Sequence, residues 1–238
     1  MIPIESAERA VLCALFRAYP KALVWIGGSV LHLLHGSPRW SYDLDLCPRE
    51  HLPPKGEAVA IARSALEEVN QALGSRFALA PQPFPQWTVL ESGTPAFQVD
   101  FTRITGRIAE TTAVVLESLL GPQAVVVPTD AALLLLKLEA LMFRPFVKPA
   151  DVFDIWFLVS RGVRLTRQQR RWLSEQVRLR EIERADAEGR VRRLAPERLL
   201  AELRKRLPAE AFHGWNAASV KRVIDTALAL LRKEIRWG

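Results

Sequence analysis

The sequence predicts an α+β protein: a mixed, mostly antiparallel sheet flanked by helices over residues 1–128, then a helical bundle over residues 129–238. Short apolar runs bounded by Gly and Pro, the mark of strands, are confined to the first half. Beyond Pro128 the apolar spacing is helical to the end. A length of 238 residues suits one compact domain with a helical extension.

The elements follow in order. Ala10, Leu12, Leu15 and Phe16 recur at helical spacing, so an amphipathic helix is expected over 5–18. ALVWI, ending at Ile26, reads as a short strand that stops at Gly27-Gly28-Ser29. Val30, Leu31, Leu33 and Leu34 resume a helical pattern until Gly36-Ser37-Pro38 breaks it. A second strand is expected over 42–46, and after a proline-rich loop a helix over 57–73. RFALA, QWTVLE and PAFQVDFTRI read as three strands of a meander. In the last of them Phe97, Val99 and Phe101 alternate with Gln98, Asp100 and Thr102, which puts Asp100 on the polar face. AVVVP supplies a final strand, and Thr129 is placed to cap the helix that follows. Helices are expected over 130–142, 151–160, 167–187, 196–206 and 217–236.

With 49% hydrophobic and 25% charged residues the composition is that of a globular protein, not of a disordered or collagen-like chain. The first twenty residues carry no secretory leader pattern, and no apolar run reaches the roughly 18 residues of a membrane span. A cytoplasmic protein without a membrane partner is expected. Cys13 and Cys47 are too few for a disulfide framework and lie in no metal-type pair, so both are expected to be reduced. A net charge of +7 and a pI near 9.9 favour a polyanionic partner. The arginine-dense segments RQQRRW, RLREIER and GRVRRLAPERLLAELRKR fit a nucleic-acid surface, or equally a solvated helix face with Arg and Glu at i, i+4 spacing.

The segment richest in chemistry runs from Trp25 to Leu46. It joins a Gly-Gly-Ser turn opening a helix to the paired carboxylates Asp43-Leu44-Asp45 one strand later. Residues i and i+2 of a strand share a face, so both acids project to the same side. Two crowded acids repel, and hard divalent cations bridging to phosphate offset that cost. Asp100, on the polar face of a candidate neighbouring strand, is the third carboxylate. Gly27 and Gly28 permit a tight turn and close backbone approach, and Ser29 with the following helix offers donors to a triphosphate. His32 and His35, at i, i+3 spacing with no further ligand in view, read as packing or polar-face residues.

Taken together, Gly27-Gly28-Ser29, the short helix and Arg39-Trp40-Ser41-Tyr42-Asp43-Leu44-Asp45 resemble the Gly-Gly-Thr/Ser turn and Arg-x-Ser-x-Asp-x-Asp motif of the AbiEii toxin family. These are the nucleotidyltransferases of AbiE-type and MenA/MenT-type toxin–antitoxin systems, within the DNA polymerase beta-like superfamily. A second block, KLEALMFRPFVKPADVFDIWFL, is similar to the family's downstream pattern through Lys137, Arg144, Lys148, Asp151 and Asp154. Where many members carry Arg before the first Asp of that block this chain has Ala150, with Lys148 two residues earlier.

The resemblance implies Mg2+ (or Mn2+) held by Asp43 and Asp45, with Asp100 as third ligand or as base for the attacking hydroxyl. It implies Ser29 and Ser41 on phosphate, Arg39 either on the transferring phosphates or pairing an acid to hold its loop, Lys137 on the NTP, and Lys148 as a further basic group. In LLLLKLEALM, Lys137 needs a polar outlet or an anion, because a buried ammonium is costly. Asp154 is expected to face the cleft and Asp151 to cap its helix. The helical domain is thus expected to contribute to the cleft. The implied function is NTP-dependent transfer to RNA, with the tRNA 3′ end as favoured acceptor, by a toxin with a cognate antitoxin. Competing readings are a protein-modifying or kinase-like transferase acting on a partner or antitoxin, and a small-molecule (antibiotic) transferase.

Overall fold

The structure is a computed structural model describing residues 3–80, 85–102 and 110–237. Its chain divides into two compact units, one of residues up to Gly36 with Ser41–Pro128 and one of Ser37–Trp40 with Thr129 onward.

The first unit contains α1 (Pro3–Ala18), β1 (Leu23–Ile26), α2 (Gly28–Leu33), β2 (Asp43–Pro48) and α3 (Lys55–Leu73). β3 (Phe77–Leu79), β4 (Gln86–Glu91), β5 (Thr94–Phe101), β6 (Thr111–Leu116) and β7 (Gln123–Pro128) follow. The main sheet has the order β1-β2-β5-β4-β3, in which only β2 and β5 run parallel. β3, β4 and β5 form the expected antiparallel meander. Arg103 and Ile104, the expected end of the last strand, lie outside the described residues. β6 and β7 pair as a separate antiparallel ribbon, and β7 packs beside β1 and α1.

The core of this unit is built from the inward faces of α1 and α3 and the alternating residues of the sheet. Leu12, Leu15 and Phe16 of α1 and Leu44, Leu46, Phe97 and Val99 of the sheet are all at or near zero exposure. Each such side chain contributes about 1.5–3 kcal/mol on leaving water. The thiols of Cys13 and Cys47 are free and buried.

Strand β6 escapes the sequence pattern. Its face is largely open, with Val115 64% exposed, so no core-facing alternation marks it and only its β-branched composition points to a strand.

One buried acid in α1 makes stability depend on pH. Glu8 is almost fully buried, and desolvation pushes its carboxyl from 4.5 to about 8, with the Glu5 charge adding and Arg9 opposing. Between those pH values the folded chain holds a proton that the unfolded chain has released, so stability falls as pH rises through the window. Glu8→Gln removes the ionisation: its thermal midpoint will exceed wild type above pH 8 and converge with it near pH 4.5. Midpoints that track each other across this range would count against the assignment.

The second unit is helical: α4 (Asp130–Phe143), α5 (Pro149–Ser160), α6 (Arg167–Leu179), α7 (Arg184–Arg192), α8 (Pro196–Arg206), α9 (Ala209–Phe212) and α10 (Ala217–Glu234). Thr129 caps α4 as expected, its hydroxyl accepting from the Ala132 amide. The helix expected over 167–187 is two helices. Chain reversal at Glu181, with φ of +53°, separates α6 from α7, and a residue with left-handed backbone ends an α-helix. α5 packs against α4, α8 and α10. Phe153, Trp156 and Trp215 form a cluster of tilted and edge-on rings with centroids 5.3–5.5 Å apart. Glu188 of α7 accepts from Arg184, Arg192 and Arg232, tying α7 to α10. Among the described residues no helix is long and apolar enough to cross a membrane.

Candidate active site

In the first unit the catalytic candidates stand on two parallel strands. Asp43 opens β2, Asp45 follows on the same face, and the register sets Asp45 opposite Asp100 and Asp43 opposite Gln98. The antiparallel neighbour β4 extends both rows, with Gln86 opposite Asp100 and Thr88 opposite Gln98. Gln86 Nε2 donates to Gln98 Oε1 (3.1 Å), and Gln98 Nε2 to Thr88 Oγ1 (3.5 Å). One sheet face therefore carries a polar patch three strands wide, while Leu44, Val99 and Trp87 between its members turn into the core. Sequence reasoning does not place Gln86, Thr88 and Gln98 in the site. The alternation in QWTVLE is the signal that could have found the first two.

Burial pushes the Asp100 carboxyl above its usual range; a hydrogen bond from Thr102 opposes this and the charge of Asp43 adds to it. On the other side of β2, Ile26 lies opposite Asp45, and the chain then turns through Gly27 at φ +87°. A Cβ on Gly27 would overlap the Asp45 Oδ2 atom, so the glycine is demanded both by backbone conformation and by the space the carboxylate occupies. Gly28 begins α2 and is buried. Ser29 is 1% exposed and its Oγ accepts from the Trp25 indole (2.9 Å), which ties the turn to the strand before it. Ser41 is buried just before β2.

Among the described residues no group of three or more His, Cys, Asp or Glu side chains is close enough together to hold a metal ion, so the three aspartates do not form a ready-made cage. The donor set nonetheless fits Mg2+. It consists of hard carboxylate oxygens, and Mg2+ characteristically takes one or two carboxylates and completes its shell with water and substrate phosphates.

The remaining candidates belong to the helical unit. Arg39, although four residues before Asp43, is grouped there and is 2% exposed. Its Nε and Nη2 donate to Asp154 Oδ1 and Oδ2, each at 2.9 Å, a two-pronged pair. Arg39 Nη1 donates to the Trp40 carbonyl (3.0 Å), and the Trp40 amide to the Arg206 carbonyl at the end of α8 (2.8 Å). Of the two roles open to Arg39, pairing an acid is the one the geometry provides.

Lys137 Nζ reaches Asp154 Oδ2 (2.8 Å) and Asp151 Oδ1 (3.1 Å), so the anion that a buried ammonium needs is supplied by the protein. Asp154, expected to face a cleft, is fully buried, and both of its oxygens are engaged by Arg39 and Lys137. Burial alone would raise its carboxyl, but the Arg39 and Lys137 charges outweigh that and hold it below its ordinary value. It is a positioning residue for two cations. Asp151 is not the cap of α5, whose N-cap is Lys148; it sits in the first turn and accepts from Lys137 and Arg144. Arg144, at the end of α4, is thus the guanidinium beside the first Asp of the second block, while Lys148 is exposed.

A carboxylate-bearing mixed sheet entered through a Gly-Gly-Ser turn, joined to a helical unit, is the framework of a nucleotidyltransferase. The family model described as "Nucleotidyl transferase AbiEii toxin, Type IV TA system" matches residues 10–228, and the chain belongs to that family. No curated protein matches significantly. Among solved structures, the chain is similar to JHP933 from Helicobacter pylori at 15% identity and a TM-score of 0.50, covering 97% of this chain and 91% of that one. A second H. pylori protein, provisionally assigned as a nucleotidyltransferase, matches at 14% identity and a TM-score of 0.50, covering 97% and 94%. Similarity at this level establishes the shared fold.

Proposed function

We propose that this chain, with Mg2+ or Mn2+, transfers a nucleotidyl group from an NTP to RNA, that the acceptor is the 3′ end of tRNA, and that blocking this end arrests translation. In this reading it is a cytoplasmic toxin restrained by a cognate antitoxin. The observation that carries the reading is the register of β2 on β5, which puts Asp45 beside Asp100 on the face that also bears Asp43.

The reaction is an in-line displacement. The acceptor hydroxyl oxygen forms a bond to the α-phosphorus, the bond from that phosphorus to the bridging oxygen breaks, and pyrophosphate leaves with the electron pair. Asp43 and Asp45 would hold the divalent ion, which when bound neutralises phosphate charge. Asp100 is suited to take the hydroxyl proton, because burial raises its affinity for one. Gly27 keeps the backbone clear of Asp45, and the amides of the Gly27-Gly28-Ser29 turn offer donors to phosphate.

Incubation with α-labelled NTPs, total tRNA and purified antitoxin tests the acceptor. Label is expected on RNA, at a periodate-sensitive 3′ end. Label on protein alone would overturn the RNA assignment and favour a protein-modifying transferase.

A further inference from the structure

Several arginines of the helical unit are engaged within the protein. Arg184, Arg192 and Arg232 are consumed by Glu188, and Arg190 by the carbonyls of Met142 and Arg144. Three of the four on α6 are not. Arg167, Arg170, Arg171 and Arg178 recur at i, i+3, i+4 and i+11 and so share one stripe, set apart from the buried stripe of Gln169, Leu173 and Val177. Arg167, Arg171 and Arg178 are exposed and form no ion pair with any described residue.

This stripe forms one wall of a groove of about 1230 Å3 whose other wall is the end of α10, with Lys233 and Arg236. Two acids also line it: Glu234, buried and paired to Arg170 at 3.4 Å, and Glu175. The Arg236 amide donates to Ser174 Oγ (2.9 Å), which fastens the C-terminal segment along α6. Six cations against two acids leave the groove strongly positive, and its size and charged lining do not suit a small apolar ligand.

We infer that the groove between α6 and the end of α10 is a docking surface for the sugar-phosphate backbone of RNA. It belongs to the helical unit, whereas the carboxylates belong to the sheet, and it holds the acceptor during transfer. The inference rests on the proposed RNA acceptor for its choice of polymer. Its chemistry comes from the groove: five of the six cations are arginines, whose planar forks match phosphate oxygens in pairs. From Arg167 to Arg178 the stripe runs about 16 Å along the helix, enough to follow several successive phosphates. Half-buried Trp237 at the groove's edge adds a flat surface on which a base can stack.

The test is fluorescence anisotropy with a labelled RNA hairpin ending in a single-stranded 3′ tail, without nucleotide or divalent metal, across a range of salt. Arg167→Gln/Arg171→Gln/Arg178→Gln will weaken binding about tenfold or more, and will flatten the dependence of log affinity on log salt by about two, at roughly 0.7 for each phosphate no longer neutralised. Circular dichroism and binding of a fluorescent NTP will not change, since these side chains are exposed. RNA affinity and salt slope equal to wild type would overturn the proposal. So would displacement of the RNA by poly-glutamate at matched charge, which would assign the groove to an acidic protein. Asp45→Asn separates this from the transferase reading: it should bind the hairpin as wild type does even if no transfer is ever detected. Conversely, transfer by the triple variant with an unaltered RNA KM would sink the groove and leave the transferase standing.

Discussion

Asp43→Asn and Asp45→Asn will each reduce nucleotidyl transfer by roughly three orders of magnitude or more while leaving the fold intact. Metal-held charge at a transferring phosphate contributes several kcal/mol to the transition state, and each 1.4 kcal/mol, about a decade in rate, is lost with the ligand that held it. Both side chains are half-buried at the sheet face and outside the core, so the amide costs little stability. Gly27→Ala should reproduce the defect with all three aspartates still in place. Its methyl falls on Asp45 Oδ2, and its φ of +87° is strained for any residue with a Cβ. Steady-state transfer from α-labelled NTP onto RNA reads all three. Wild-type turnover in either aspartate variant would remove the carboxylate pair from the mechanism.

Asp154→Ala will destabilise the helical unit by about 3–5 kcal/mol, because it strands the buried Arg39 guanidinium and leaves Lys137 with Asp151 alone. Arg39 loses a two-pronged partner and Lys137 its shorter ion pair. Lys137→Ala will cost less, since Asp154 keeps Arg39. Replacing the charges together, as in Asp154→Leu with Arg39→Met and Lys137→Met, should recover much of the loss, because an uncharged core escapes the desolvation penalty. The carboxyl of Asp154 is held below 3.8, so its contribution is present above that pH and is lost as the pH falls toward the depressed folded value. Chemical denaturation followed by tryptophan fluorescence measures each variant. An Asp154→Ala midpoint indistinguishable from wild type would show that the network adds nothing to the fold.

Local pattern carried much of the architecture. The strand read over 86–91 is β4 to the residue, and the cap at Thr129 is where a hydroxyl before an apolar helical run predicts it. What local pattern missed has identifiable causes. β6 has no buried alternation to betray it. The break between α6 and α7 sits in RLREIER, where no Gly or Pro punctuates the sequence and Glu181 adopts the left-handed conformation itself.

The candidate site divides the same way. The sequence alone determined that Asp43 and Asp45 share a face, because a period of two is a property of any strand. It also determined that the turn before α2 is built from glycine. Tertiary structure decided the rest. Asp100 comes beside Asp45 through parallel pairing of strands about fifty residues apart, a register that no local periodicity encodes. Arg39 selects Asp154 at a separation of 115 residues, and Lys137 finds Asp151 and Asp154 where the sequence offered only the need for an anion. A buried charge must be matched, but which of many opposite charges matches it depends on how helices pack, and that is settled only when the chain has closed on itself.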